Sequence, residues 1–532
     1  MRQEELLINR LAAYARSDMY PFHMPGHKRR TGPEDSFMNS CVDSFTNPFA
    51  VDITEIEGFD NLHHPEGILK DSMKWAADVY GADQTYYLIN GSTGGILAAV
   101  CGSVPRGGRI LVSRNCHKSV YHGICLNQLK TSYVYPQEIE GLGIQGGITA
   151  EDVDRMLNRY IYPEFDETME LNMAVSPEKI ERLLEEHKEV QAVVLTSPTY
   201  DGMLSDIERI SEIVHQKKIP LIVDEAHGAH FRYDAMFPVS ALDLGADVVI
   251  QSVHKTLPSL TQTALLHIKC NRPDGGCYAD RERIDRYIHM VQSSSPSYVL
   301  MASIENSIYQ MEQTDMAPYG KQLHKLRRRL GQMRHLRLAD TGLIGQAGIR
   351  DLDISKIVVS TRGTCLYPAE DGLTGFTGAQ LDDILRREYH LEMEMCGADY
   401  VTAITTVMDS GEGLERLGDA LTRIDSQLTD AGYKPDGRSG NQKSVYSMRC
   451  DTAMSMGEAM EENMASVGLE DSAGCISGEF VYIYPPGIPI VAPGEWISRP
   501  ILEVILEYRD KGLPVQGPAD QSLRTIRVVQ KD

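Results

Sequence analysis

The stretch ADVVIQSVHKTLPSLTQTALLHI, residues 246–268, decides how this chain is read. Its first part, ADVVIQS (246–252), is an apolar, β-branched run that reads as a buried strand. A serine, a histidine and a lysine stand where that strand ends. Lysine is among the residues least often buried. Lys255 is therefore either a snorkelling surface residue or a residue that chemistry requires.

Working outward, the same pattern recurs. TYYLI (85–89), RILVS (109–113), SYVY (132–135), AVVLT (192–196) and PLIVDE (220–225) read as strands. STGGILAAVCGSV (92–104), NCHKSVYHGICLNQL (115–129), EKIERLLEEHKEV (178–190) and SDIERISEIVHQKK (205–218) read as helices between them, the last with a Ser N-cap. Apolar strands alternating with helices specify an α/β fold, with a mainly parallel sheet covered on both faces. Such sheets bind ligands beyond the C-terminal ends of their strands. The residues there are Asn90-Gly91-Ser92-Thr93, Arg114-Asn115-Cys116-His117, Ser197-Pro198-Thr199-Tyr200, Asp224-Glu225-Ala226-His227 and Ser252-Val253-His254-Lys255. That set is polar, and the strands feeding it are not.

A chain of 532 residues is long enough for roughly two to four domains. Residues 1–50 read as a helix and an irregular arm, and 51–310 as the large domain. Residues 151–177 break the rhythm and look like an insertion. Residues 311–435 read as a smaller α+β domain, with HKLRRRLGQMRHLRL (324–338) as a basic helix. DGRSGNQKS (436–444) looks like a linker within a C-terminal domain of 436–532.

Hydrophobic residues make up 42%, enough for a large core. The formal charge of −23 argues against a nucleic-acid or anionic-membrane partner and fits a cationic substrate. The N-terminus lacks the apolar core of a signal peptide, and no run approaches the ~18 apolar residues of a membrane span. The expectation is a cytoplasmic protein. Its ten cysteines include no C-x-x-C pair and read as scattered reduced thiols.

Each strand end has a bland and a functional reading. NGSTGG (90–95) is either a plain helix start or a phosphate cup, with Ser92 and Thr93 at a helix N-terminus. Asp224 is either a carboxylate satisfied by backbone N–H groups or the partner of a cationic ring nitrogen. His117 is either a polar helix-opening residue or an aromatic plate over a planar cofactor. Together with Lys255 these parts have one economical reading: a pyridoxal 5′-phosphate site.

The motifs PFHMPGHKR (21–29), DITEIEGFDNLHHPEG (52–67), NGSTGG, HKS (117–119), SPTYDG (197–202), VDEAHGAHF (223–231), SVHKTLPSLTQTALLH (252–267), SSSPSYVLMASIE (293–305) and YPPGIPIVAPGE (484–495) occur in this order. In this respect the chain resembles the Orn/Lys/Arg decarboxylase family, in its shorter bacterial form without an N-terminal receiver-like domain. The resemblance implies the type I fold of pyridoxal-phosphate enzymes, similar to aspartate aminotransferase, with smaller α+β C-terminal domains. It implies decarboxylation of lysine, arginine or ornithine to CO2 and a polyamine-type amine, in a homodimer or higher oligomer whose active site lies at the subunit interface.

Residue by residue, the resemblance makes Lys255 the lysine that bonds the cofactor and Asp224 the partner of its ring nitrogen. His117 matches the residue that stacks on the ring. Ser92, Thr93 and Ser252 match phosphate contacts, and His227 lies beside the cofactor. Lys255 or His254 would return a proton to the substrate's Cα. Glu495, with the tyrosines of YIYPP, is a candidate contact for the substrate's distal cation. No metal is expected.

Three rivals remain. An aminotransferase shares the phosphate cup, the Asp and the Lys, but needs a firm grip on an α-carboxylate, which Arg362 could supply. A metalloenzyme would draw on DEAHGAH (224–230) or the His pair of HMPGH (23–27), and its ligands should then converge. A non-catalytic relative would regulate by binding, yet every catalytic residue named above is present. His63 and His64 read as packing and hydrogen-bonding residues, and Trp496 as core or interface.

Overall fold

Seven strands form the central sheet: β1 (Gln84–Leu88), β2 (Arg109–Ser113), β3 (Lys130–Val134), β4 (Val193–Thr196), β5 (Leu221–Asp224), β6 (Val248–Gln251) and β7 (Ala264–Ile268). The structure is a computed structural model. It describes residues 11, 13–30, 48–139, 141–159, 189–366, 375–430, 448–483, 487–510 and 515–530. The strand order is β1-β7-β6-β5-β4-β2-β3. Every pairing from β6 to β3 is parallel, and β7 alone runs antiparallel to both of its neighbours. The six other strands were legible as apolar runs; β7 was not separated from the polar stretch before it.

Alternate residues of these strands face opposite sides, as the two-residue repeat of a strand requires. Leu111, Val193, Leu195, Val223 and Val249 join one hydrophobic cluster. Ile110, Val112, Val194, Ile222 and Ile250 join another. A strand apolar on both faces belongs inside an α/β sandwich. Helices α1 (Gly91–Ser103), α2 (Lys118–Leu126), α3 (Ala150–Arg159) and α4 (Ile207–Gln216) cover the two faces.

Some expectations change. Residues 151–159 of the supposed insertion form α3 together with Ala150, and this helix buries Val153 and Leu157 in the core and packs beside α4. The remainder of that segment, residues 178–188 of the helix expected at 178–190 and the linker at 436–444 lie outside the described residues, and residues 189–190 are not helical. The N-cap of α4 is Asp206, whose side chain accepts from Arg209 N; Ser205 Oγ instead accepts from Ile148 N. The basic helix expected at 324–338 spans Ala317–Leu330 and stops at Gly331, so Arg337–Leu338 is a strand. Cys270 and Cys277 form a disulfide, against the expectation of reduced thiols throughout.

A second sheet holds β8 (Arg337–Leu338), β9 (Lys356–Ser360), β10 (Met395–Cys396) and β11 (Tyr400–Ile404), in the order β8-β9-β11-β10. Its Ile357, Val359, Val401 and Ala403 belong to the same hydrophobic cluster as one face of the large sheet. The C-terminal residues build a separate core around Leu469, Val481, Ile497, Ile501 and Ile526. Trp496 packs beside Ala459 and Ile476.

Candidate functional site

The C-terminal ends of β1, β2, β4, β5 and β6 open on one cavity of ≈ 290 Å³. Ser92, Thr93, His117, Asp224, His227, His254 and Lys255, named from the sequence, all line it, with Gly91 beside them. Ser252 lies just below, fully buried, and its Oγ has no hydrogen-bond partner among the described residues.

Lys255 is carried by a one-turn helix, Val253–Thr256, that starts directly after β6. The N-terminal arm clamps this turn: Gly26 N donates to His254 O at 2.7 Å. A Cβ at Gly26 would sit 2.8 Å from Leu257 O and from Thr256 C, so only glycine lets the arm come this close. Burial lowers the Lys255 ammonium from its ordinary range, while Asp224 and Glu394 pull it back up.

Asp224 ends β5, 3% exposed. Its carboxylate accepts one hydrogen bond among the described residues, from Ala226 N at 3.2 Å. Burial raises this carboxyl, with Lys255 and the Ala226 N–H opposing. The group is short of partners and suited to a cation. His117 caps α2: its Nδ1 accepts from Ser119 N and faces Ser119 Oγ at 2.8 Å. Burial, then Lys255, holds the imidazole down to about 3. His254 is held down to about 4, chiefly by burial. Its Nδ1 lies 2.8 Å from the Thr263 carbonyl, which accepts the ring proton and leaves Nε2 without one.

Helix α1 runs 13 residues from Gly91, and its N-cap Asn90 makes no side-chain cap. Asn90 Nδ2 donates to Val291 O instead. The first N–H groups of α1 are thus left for an anion in the cavity. With the orphaned Ser252 Oγ and the under-bonded Asp224, the donor set fits pyridoxal 5′-phosphate. Ser92, Thr93, Ser252 and the α1 terminus would hold its phosphate, Asp224 its ring nitrogen and Lys255 its aldehyde carbon.

Glu495 is not brought to this cavity. Its Oε1 and Oε2 take two hydrogen bonds from Arg114, at 2.7 and 2.9 Å, and Oε2 also accepts from Ala492 N. Both side chains are 2% exposed. The pairing of Glu495 with a buried guanidinium corrects its expected place at the substrate. Tyr482 lies over Lys118 Nζ, and Tyr484 is outside the described residues. Arg362 does not line the cavity either; it faces Asp399. His63 bonds Ser293 O and packs beside His289, and His64 meets Glu66 at the surface. Among the described residues no group of three or more His, Cys, Asp or Glu converges as metal ligands; His227 and His230 face lysines and Asp353 instead.

The structure adds residues that sequence reasoning missed. Glu394, between two short strands of the smaller domain, lines the cavity. Tyr200 Oη donates to its Oε1, and Met24 N donates to Oε2 at 2.8 Å. Asp201 lines it too, raised by burial to about 7 despite hydrogen bonds from Thr402 and Tyr400. Lys356 opens β9, 1% exposed, with Nζ 3.2 Å from His227 Nδ1. It carries the signal that singled out Lys255, a lysine against an apolar strand, but at the strand's start.

Comparison with known proteins bears on this site. The major domain of the Orn/Lys/Arg decarboxylases matches residues 6–336, and their C-terminal domain matches 439–512. An arginine decarboxylase of Halalkalibacterium halodurans is 31% identical over 535 residues, covering 100% of this chain and 99% of that one. The constitutive lysine decarboxylase of Escherichia coli is 27% identical over 304 residues, 56% of this chain and 39% of that one. The crystal structure of a Francisella novicida lysine decarboxylase superposes with TM-score 0.69 at 20% identity, covering 98% of this chain and 80% of that one. That likeness shows the fold, the type I architecture expected from the sequence.

Proposed function

The chain belongs to the Orn/Lys/Arg decarboxylase family and decarboxylates a basic amino acid, and from that premise we propose that its substrate is arginine and its cofactor pyridoxal 5′-phosphate. The observation that carries the reading is the charge of the cavity. Among the described residues it is lined by Asp201, Asp224 and Glu394 and by no arginine. A transaminase-like grip on the α-carboxylate is missing, while a cationic side chain finds carboxylates. Arginine is preferred to lysine because a relative named for arginine is 31% identical over the whole chain, whereas relatives named for lysine are 27% identical over part of it or 24% identical over 94% of it.

When bound, pyridoxal phosphate supplies the electron sink for the pair left behind by the departing carboxylate. The protein's residues do the rest. Lys255 would hold the cofactor through Nζ and, when free of it and carrying a proton taken from the substrate amine, would stand beside the reacting carbon as an ammonium. Asp224 would stabilise positive charge at the ring nitrogen. His117, its ring fixed by Ser119, would restrain the cofactor plane. The protonated Nδ1 of His254 is spent on Thr263 O, so the Lys255 ammonium rather than His254 would return the proton to Cα. The proposed enzyme is a homodimer, as the family resemblance implies, in the cytoplasm. Among the described residues no helix is long and apolar enough to cross a membrane.

The test is an end-point assay of purified protein with pyridoxal phosphate, offered arginine, lysine and ornithine separately. Equal amounts of agmatine and CO2 from arginine are expected. Cadaverine or putrescine with no agmatine would overturn the substrate, and no CO2 from any of the three would overturn the reading of the cavity.

A further inference from the structure

Two lysines, Lys356 buried and Lys255 half-buried at the cavity, approach one imidazole through its two ring nitrogens. Lys255 Nζ lies 3.1 Å from His227 Nε2, and Lys356 Nζ lies 3.2 Å from His227 Nδ1. His227 is 4% exposed. Burial and the surrounding positive charges, Lys255 first among them, hold it well below its ordinary range, so the ring is neutral. A neutral imidazole has one N–H donor and one acceptor nitrogen, while an ammonium can only donate. Both lysines cannot be ammonium ions and still bond the same ring. One must be a neutral amine that accepts the ring N–H.

The surroundings decide which. Lys356 has Asp353 and Glu394 for counter-charges. Burial opposes ionisation of Asp353, yet His230, Lys356 and Ser355 hold its carboxyl down to about 2. Burial brings Lys356 to about 8, so it is an ammonium at neutral pH. Lys255 faces Asp224, which burial raises, and shares Glu394. The other charged or titratable groups nearby are His117 and His254 beside His227, Asp201, and Lys28 from the arm, whose Nζ donates to His23 O and Ile404 O. The stem of Lys356 is fixed beneath Gly202, where a Cβ would come within 2.7 Å of its Cγ.

We propose that Lys356 is a positioning residue: by donating to Nδ1 of His227 it fixes the Nε2–H tautomer, whose N–H is accepted by Lys255 and keeps that lysine a neutral amine. A neutral Nζ is the form that bonds an aldehyde carbon. The inference rests on Lys255 as the cofactor-bonding lysine. It assigns the smaller domain a part in the site through a residue that touches neither cofactor nor substrate.

The test uses the full-length chain stripped of pyridoxal phosphate, with 15N-labelled histidine and the His227 signal assigned by its loss in His227→Asn. The expected signal is the Nε2–H tautomer in wild type and in Lys356→Arg, which keeps charge and donor, and its loss in Lys356→Met. In parallel, trace acetylation with acetic anhydride, read by mass spectrometry of the Lys255 peptide, gives the pH midpoint of that amine. Lys356→Met should raise the midpoint by about one unit, about a tenfold loss of neutral amine at pH 7. Should Lys356→Met fail to fold, Asp353→Asn removes the charge that holds the Lys356 proton, and the same change of tautomer is expected. An Nδ1–H signal in wild type, or an unchanged tautomer and midpoint in the variants, would overturn the proposal. Neither readout involves turnover, so a different substrate would leave both intact.

Discussion

Replacing Glu495 with leucine tests whether this carboxylate is structural or touches substrate. The side chain is bonded twice to Arg114 and once to Ala492 N, with both partners of the ion pair 2% exposed. Charge centres about 4 Å apart attract by about 4 kcal/mol at an effective dielectric of ~20. Removing one member of a buried pair strands the other, at a cost of about 3–5 kcal/mol. Arg114 is also wedged over the Tyr133 ring, 4.7 Å from its centroid, and has no route to water. With a urea slope of about 3 kcal/mol/M, the unfolding midpoint should fall by about 1 M or more. Trp496, next in sequence, is one of only two tryptophans and reports the transition by fluorescence. The KM for the amino acid should stay within about twofold of wild type. The double variant Arg114→Met with Glu495→Leu should regain most of the loss, because well-packed apolar residues replace a buried pair at little cost. A midpoint within about 0.2 M of wild type, with KM raised tenfold or more, would refute the structural assignment and return Glu495 to the substrate.

Two further outcomes follow from the same geometry. On the proposed reading, Asp224→Asn keeps the shape but loses the charge that would face the ring nitrogen, so kcat should fall about a hundredfold or more while the cofactor is still taken up; turnover within tenfold of wild type would contradict that role. His267 is fully buried between Thr85 and Gln251, and burial holds it down to about 3. Because the folded state resists its protonation, its contribution is complete above the unfolded value of about 6.5 and is lost as pH falls below that. Between pH 6.5 and 5 the wild type should therefore lose about 2 kcal/mol relative to His267→Gln in denaturant titrations, and parallel pH profiles would show the reasoning wrong.

What could be read before the structure was what lies close together in the chain. Lys255, Asp224 and His117 each follow an apolar strand within a few residues, and a parallel sheet delivers all such positions to one edge. Glu394 and Lys356 come from the smaller domain, more than a hundred residues after β6, and only tertiary packing brings them to His227 and Tyr200. Glu495 misled because its motif marks a place in the family pattern, while its partner, Arg114, is 381 residues away. Local chemistry also outcompeted pattern at α4, where Asp206 took the capping role and Ser205 turned to the Ile148 amide. The strand β7 was hidden because TQT precedes its apolar residues and the hairpin carries no Asn-Gly or Asp-Gly signal.

The shared hydrophobic cluster has a consequence for access to the cavity. Leu195 and Val223 of the central sheet belong to the same apolar body as Val359 and Val401 of the smaller one. The strand Met203–Leu204 also pairs in antiparallel fashion with Asp351–Leu352, just before β9. A hinge that swung the smaller domain away would have to part this core and unzip that pairing. The cavity's rim is different: there Met24 of the arm and Tyr200 meet the smaller domain through hydrogen bonds to Glu394, so the rim can open without parting that core.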